Sequence, residues 1–261
     1  MNQLPVFFGT LAYEFRMQIR RRAVWITMIL LILLVIMAIR RSIGGYNEFL
    51  GINNLSLPAV IANWTDIVNA ILPVGVGVLL ADRLPRDRRT RVDELFISMP
   101  GALSSRLLGK YLGSMLATLV PMFAFYCIGI GYILYQIQNP QVLLLAIETF
   151  AAIVLPGILF ISAFSIACPS ILWVPLYQFL FVGYWFWGNW LGVRTGIPTL
   201  SNTILTPVGT YISSGFFGAS LFPVQNATVL QAIESMLLLL SITAFVMVVL
   251  WSYLKWQQSR Q

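Results

Sequence analysis

The chain has no histidine, two cysteines, and only nine acidic against 16 basic side chains in 261 residues. Without histidine, and with the acids scattered, neither a metal site nor histidine-based catalysis can be assembled from these residues. Cys127 falls inside an expected helix and Cys168 near the inner end of another, so neither suits an extracellular disulfide. A nucleotide-binding loop is also missing: Gly109-Lys110 is followed by Tyr111, and Gly101 lies too far upstream for the G-x-x-x-x-G-K-[ST] spacing. Charged residues make up 10% of the chain, against about 25% in soluble domains. No polar block is long enough for a soluble domain of roughly 50 residues.

What is present is apolar sequence, 59% of the whole, in runs near the ~20 residues that cross a bilayer. These features imply a single all-α polytopic membrane domain over residues 1–261. The net charge of +7 would suggest nucleic acid in a soluble protein. Here it is read as basic residues flanking helices on the cytoplasmic side, with no nucleic-acid partner.

Residues 1–22 carry Leu4, Phe7, Phe8, Leu11 and Phe15 at helical spacing, with Glu14, Arg16 and Gln18 on the polar side. That pattern predicts an amphipathic helix in the headgroup region. Six spans follow, at about Ala23–Ile39, Ile67–Ala81, Leu107–Gln136, Val142–Ala167, Ile171–Leu191 and Val229–Leu254. Asn69, Pro73, Gly75 and Gly77 interrupt the second span, which predicts an internal helix. Pro156-Gly157 interrupts the fourth. With both termini inside, 13 basic residues face the cytoplasm and three (Arg40, Arg41, Arg194) face out, a strong positive-inside bias.

The most charged stretch is Ala81–Tyr111, with seven of the 16 basic residues and four of the nine acids. Within its 82–106 loop, Val92, Leu95, Phe96 and Met99 form one apolar face of a short helix. Asp93 and Glu94 occupy its first turn, where the dipole favours negative charge. Such a face must be buried against lipid or against a partner. Arg88 and Arg91 beside it suit lipid phosphates or acidic residues of a soluble subunit.

The order RDRRTRVDELFISMPGALSSRLLGKYLG resembles the first cytoplasmic loop of type-2 ABC transporter permeases. The opening EFRMQIRRRAVWI is similar to the start of such permeases, and the six-span layout matches end to end. The resemblance implies the membrane subunit of an ATP-driven exporter in the plasma (inner) membrane. Two permease chains, identical or related, would assemble with two ABC ATPase subunits. ATP and Mg would reside on the ATPase, leaving this chain without cofactor or enzymatic activity. Arg88, Arg91, Val92, Asp93, Glu94, Leu95, Phe96 and Met99 would then form the coupling segment. Residues 1–22 would be the connecting helix.

The family's translocation path runs beside the second and fifth spans, so Asn69, Tyr184, Trp185 and Trp187 become candidate path residues, together with Glu148. An intramembrane acid is a functional hypothesis by default, and Glu148 also supports an alternative, an ion-coupled secondary transporter. A non-transporting membrane anchor for an ATPase is a further alternative. Tyr177, Tyr184, Trp185, Phe186, Trp187 and Trp190 also suit an interfacial aromatic belt. Gly109/Gly113 and Gly188/Gly192 have the spacing for close helix contact. Within the outer connection 192–228, Pro198–Pro223 is too broken for a span and too apolar for a free loop, which favours re-entrant half-helices over an extended outer loop. Glycosylation triplets begin at Asn54, Asn63 and Asn226 on expected outer loops.

Overall fold

The computed structural model describes residues 3–40, 48, 50–52, 54–89, 102–190, 199–200, 203–218 and 227–259. All regular structure among them is helical: α1 (Gln3–Ile19), α2 (Arg22–Arg40), α3 (Leu57–Leu80), α4 (Arg83–Arg89), α5 (Leu103–Ile137), α6 (Gln141–Thr149), α7 (Leu155–Ala167), α8 (Val174–Trp190), α9 (Thr210–Phe217) and α10 (Val229–Gln258). A π-helical turn, Phe150–Val154, joins α6 to α7 and makes one continuous rod of them. Five helical rods are long and apolar enough to cross a membrane: α2, α3 with α4, α5, α6 with α7, and α10. At 17 residues α8 is shorter, rising only ~26 Å.

The core is built around α3, with 21 of its 24 residues buried. Helices α2, α5, α7 and α8 pack on it from several sides. Small residues set the distances. A Cβ on Gly77 would fall 2.2 Å from the Phe181 ring of α8, and one on Gly75 would fall 2.7 Å from Leu31 of α2. Outward faces are apolar too: α2 buries Val24, Met28, Val35 and Ile39 and exposes Ile26, Leu30, Leu33 and Met37. One face seeks the bundle and the other a hydrocarbon solvent.

The structure differs from the sequence reading along α3 and at Pro156-Gly157. Helix α3 begins at Leu57, not at Ile67, with Pro58 in its first turn, where the missing N–H costs nothing. Asn63, Thr65 and Asp66, expected in an outer loop, are therefore buried helical residues. Asn63 is 7% exposed, so its glycosylation triplet lies inside the bundle; Asn54 is exposed, and Asn226 lies outside the described residues. The Pro156-Gly157 break does not interrupt the fourth rod. The π turn just before it absorbs the irregularity, and the helix continues.

The amphipathic α1 packs along the start of α5. A Cβ on Gly109 would lie 2.9 Å from the Phe7 carbonyl oxygen, and one on Gly113 2.6 Å from that of Leu11. The two helices run in the same sense. Thus Gly109/Gly113 is a true close contact, while a Cβ on Gly188 would meet only the Tyr184 ring of its own helix, and Gly192 lies outside the described residues.

Gly113→Ala is expected to lower the thermal midpoint of the detergent-purified protein, by about 1–3 kcal/mol of overpacking. Gly131→Ala, with nothing within 4 Å of the added Cβ, is expected to leave it unchanged or raise it slightly.

Candidate functional site

The close approach of α1 to α5 brings a carboxylate into the bundle. Glu14, 2% exposed, points inward, contrary to its expected place on a wet face, whereas Arg16 remains exposed. The Glu14 carboxylate accepts from Arg83 of α4, which is fully buried, and lies 3.4 Å from Lys110 Nζ of α5. Lys110 also pairs with Asp87. Arg83 and Asp87 are spaced i, i+4, so one face of the short α4 carries both. Two acids and two bases thus close a neutral tetrad across α1, α4 and α5.

A weaker pair, Arg21 with Asp82 at 3.7 Å, flanks it. Burial and then the neighbouring Arg86 pull the Arg21 guanidinium below its ordinary range, and Asp82 partly offsets them.

The tetrad's place in the chain gives it mechanical meaning. Helix α4 ends at Arg89 and α5 begins at Leu103. The Asp87–Lys110 pair therefore clasps together the two helices that deliver and receive the 90–101 segment. Of the expected coupling residues, Arg88 lies in α4; Arg91, Val92, Asp93, Glu94, Leu95, Phe96 and Met99 lie outside the described residues.

A second polar centre sits midway along α3. Asn69 is fully buried, and its Nδ2 donates to the Val208 carbonyl at 2.8 Å and the Pro207 carbonyl at 3.2 Å. A Cβ on Gly157 would fall 2.4 Å from the Pro207 oxygen, so this glycine admits the 203–209 backbone beside α7. Gly209, at φ +85°, turns the chain into α9. One turn back on α3, Asp66 accepts from the Ser213 hydroxyl of α9 at 3.0 Å. Thr206 donates to Asn189 of α8 at 3.1 Å. Segment 203–218 is thus fastened by polar contacts to α3 and α8 and lies in close van der Waals approach to α7 at Gly157.

The candidate path residues divide. Asn69 and Trp185 both face the interior, and the Trp185 indole N–H donates to the Ala70 carbonyl at 2.7 Å. Trp185 ends an inward ladder with Tyr177 and Phe181, whose rings lie 5.8 and 5.9 Å apart. Tyr184 and Trp187, 52% and 43% exposed, point away from it. Glu148 is exposed near the end of α6, beside the outward-facing Ile147. Within this chain the path residues do not converge.

Sequence reasoning passed over Asp66, Arg83, Asp87 and Lys110. Their signals were present: Lys110 stands between Gly109 and Gly113 as the one charge in α5 beyond Arg106, and Arg83 and Asp87 share helical spacing. No protein-family model matches the chain, and no curated protein matches it.

Glu14→Gln is expected to destabilise the protein by about 3–5 kcal/mol, because Arg83 and Lys110 would lose a buried countercharge. Arg16→Gln, on the exposed side, is expected to stay within about 0.5 kcal/mol, and denaturation of both variants in the same detergent makes the comparison. Asn69→Leu is expected to cost about 1–3 kcal/mol and to quicken amide exchange across 203–218 ahead of the remaining helices.

Proposed function

We propose that this chain is the membrane-spanning permease subunit of an ATP-driven ABC transporter, working as an exporter with a second permease chain and two separate ATPase subunits. The observation that carries the reading is the buried tetrad of Glu14, Arg83, Asp87 and Lys110 at the root of the 90–101 segment. A segment that merely turned the chain between two helices would need no such footing. Four ionisable groups taken from water are expensive unless they are mutually paired, and here the pairing joins the helix before the segment, the helix after it, and α1. This is what a lever requires: a docking element outside, rigid arms within, and a stiff joint between them.

In this reading the tetrad end of the bundle faces the cytoplasm of the plasma (inner) membrane, and both termini lie there. Helix α8 is the fifth of six spans, and 203–218 is re-entrant, returning after Asn69 and Asp66 have fastened it at mid-depth. Non-helical backbone at that depth must be satisfied by protein, and the carbonyls of Pro207 and Val208 are satisfied by Asn69. ATPase closure would push on Leu95 and Phe96. Helices α3 and α5 would carry the movement outward, and the exposed rings of Tyr184 and Trp187 would face the second permease chain across the path.

An ion-coupled carrier working through Glu148 draws no support from that residue's outward position. An anchor that binds an ATPase and moves no solute shares the same docking segment.

Copurification in mild detergent tests the proposal. Wild type is expected to carry an ATPase subunit from its native membrane, and Leu95→Asp with Phe96→Asp is expected to lose it. Purification of wild type alone would overturn the docking reading, and ATP hydrolysis without vesicular transport of any solute would favour the anchor.

A further inference from the structure

Beside the tetrad lies an excess of hydrogen-bond donors. Arg83 is fully buried; its Nη2 donates to Glu14, while its Nε and Nη1 meet no acceptor among the described residues. Gln18, one turn beyond Glu14 on the same face of α1, is fully buried, and neither of its amide atoms meets a partner among the described residues. Arg21 is tied to Gln18 through its backbone N–H, which donates to the Gln18 carbonyl at 3.1 Å. Its Nη1 is buried with no acceptor among the described residues, where its ion-pair partner, Asp82, stands off at 3.7 Å. Arg86 adds a third guanidinium close enough to repel both Arg21 and Arg83.

Proteins rarely leave buried donors unpaired, since each costs about as much as a lost hydrogen bond. Several on adjoining side chains, in a positive field, ask for a ligand with several acceptor oxygens. Guanidinium groups match phosphate in geometry as well as charge. Arg21 also precedes α2, whose first turn holds no acid, so the positive end of that helix dipole adds to the attraction. The corner is reachable: the Arg21 side chain is 26% exposed, while Arg83 closes the inner wall. Its height is right for a headgroup as well. If the last ~20 residues of α5 cross the hydrocarbon, Lys110 lies about 8 residues, or ~12 Å, beyond it.

We propose that the α1–α2 turn and α4 form a phosphate-binding site in which Arg21, Arg83 and Gln18 donate to the oxygens of a phosphate-bearing anion. An anionic lipid headgroup would supply that phosphate from the membrane, and inorganic phosphate from the aqueous side. The site stands independently of the permease reading, since it requires only that this corner lie near a membrane surface or open water.

The test uses the full chain in nanodiscs of phosphatidylcholine, with or without phosphatidylglycerol, and in detergent with or without inorganic phosphate, following the thermal midpoint. Phosphatidylglycerol is expected to raise the midpoint of wild type. Arg21→Gln and Gln18→Met are expected to need about tenfold more of it for half the effect, the loss that goes with a charge-assisted hydrogen bond. Arg20→Gln, on an exposed neighbour, is expected to respond like wild type, which separates a site from general surface attraction. Gln18→Met removes only unpartnered atoms, so it is expected to fold normally in phosphatidylcholine and keeps the test decisive if Arg21→Gln does not. Stabilisation by inorganic phosphate with the same dependence on Arg21 and Gln18, and none from phosphatidylglycerol, would place the source in water. No stabilisation by either, or equal responses from wild type and both variants, would show that the corner holds only water and overturn the proposal.

Discussion

A buried carboxylate must be paired, and Glu14 is paired twice. Its two contacts, with Arg83 and with Lys110, hold three helices in one arrangement. The pairing is possible only because Gly109 and Gly113 let the α1 backbone lie against α5. Steric closeness and charge pairing therefore support each other: without the glycines the carboxylate would not reach, and without the carboxylate Arg83 would lose its countercharge. Asp87 then ties α4 to the same lysine, and the geometry at both ends of the 90–101 segment follows.

Deeper in the bundle the same requirement is met differently. Between apolar helices in a lipid solvent there is little hydrophobic drive to associate, so packing and hydrogen bonds must hold them. Here side-chain donors repeatedly reach a backbone carbonyl on another element. Trp64 donates to Tyr126, Tyr126 to Ala146, Tyr111 to Leu159, Gln178 to Val78, Trp185 to Ala70, and Asn69 to Val208. Four of these six contacts involve α3, as donor or acceptor. Its near-complete burial and its polar residues are one fact seen twice: a helix surrounded by protein can carry Asn, Thr and Asp at positions where lipid would exclude them.

This explains where sequence reading succeeded and where it failed. Long apolar runs marked α2, α5 and α10 to within a few residues, because length and hydropathy alone decide whether a helix can span. The start of α3 was misplaced by ten residues because Asn63 and Asp66 look like loop residues to any measure of hydropathy. The break at Pro156-Gly157 was legible as an irregularity, but its form, a π turn followed by uninterrupted helix, was not. Glu148 drew attention as an acid amid apolar residues, yet only packing could say that it faces outward while Asp66 faces in.

By itself, then, the sequence determined an all-helical chain with helices able to cross a membrane, and one charge-rich segment between two of them. Those features depend on composition and periodicity, which belong to each segment separately. The tertiary structure alone decided which polar groups are buried, which carbonyls each donor satisfies, and that Glu14, Arg83, Asp87 and Lys110 form one unit. Partners separated by as many as 96 positions, from Glu14 to Lys110, share no local pattern. What joins them is the cost of leaving any one of those charges buried alone.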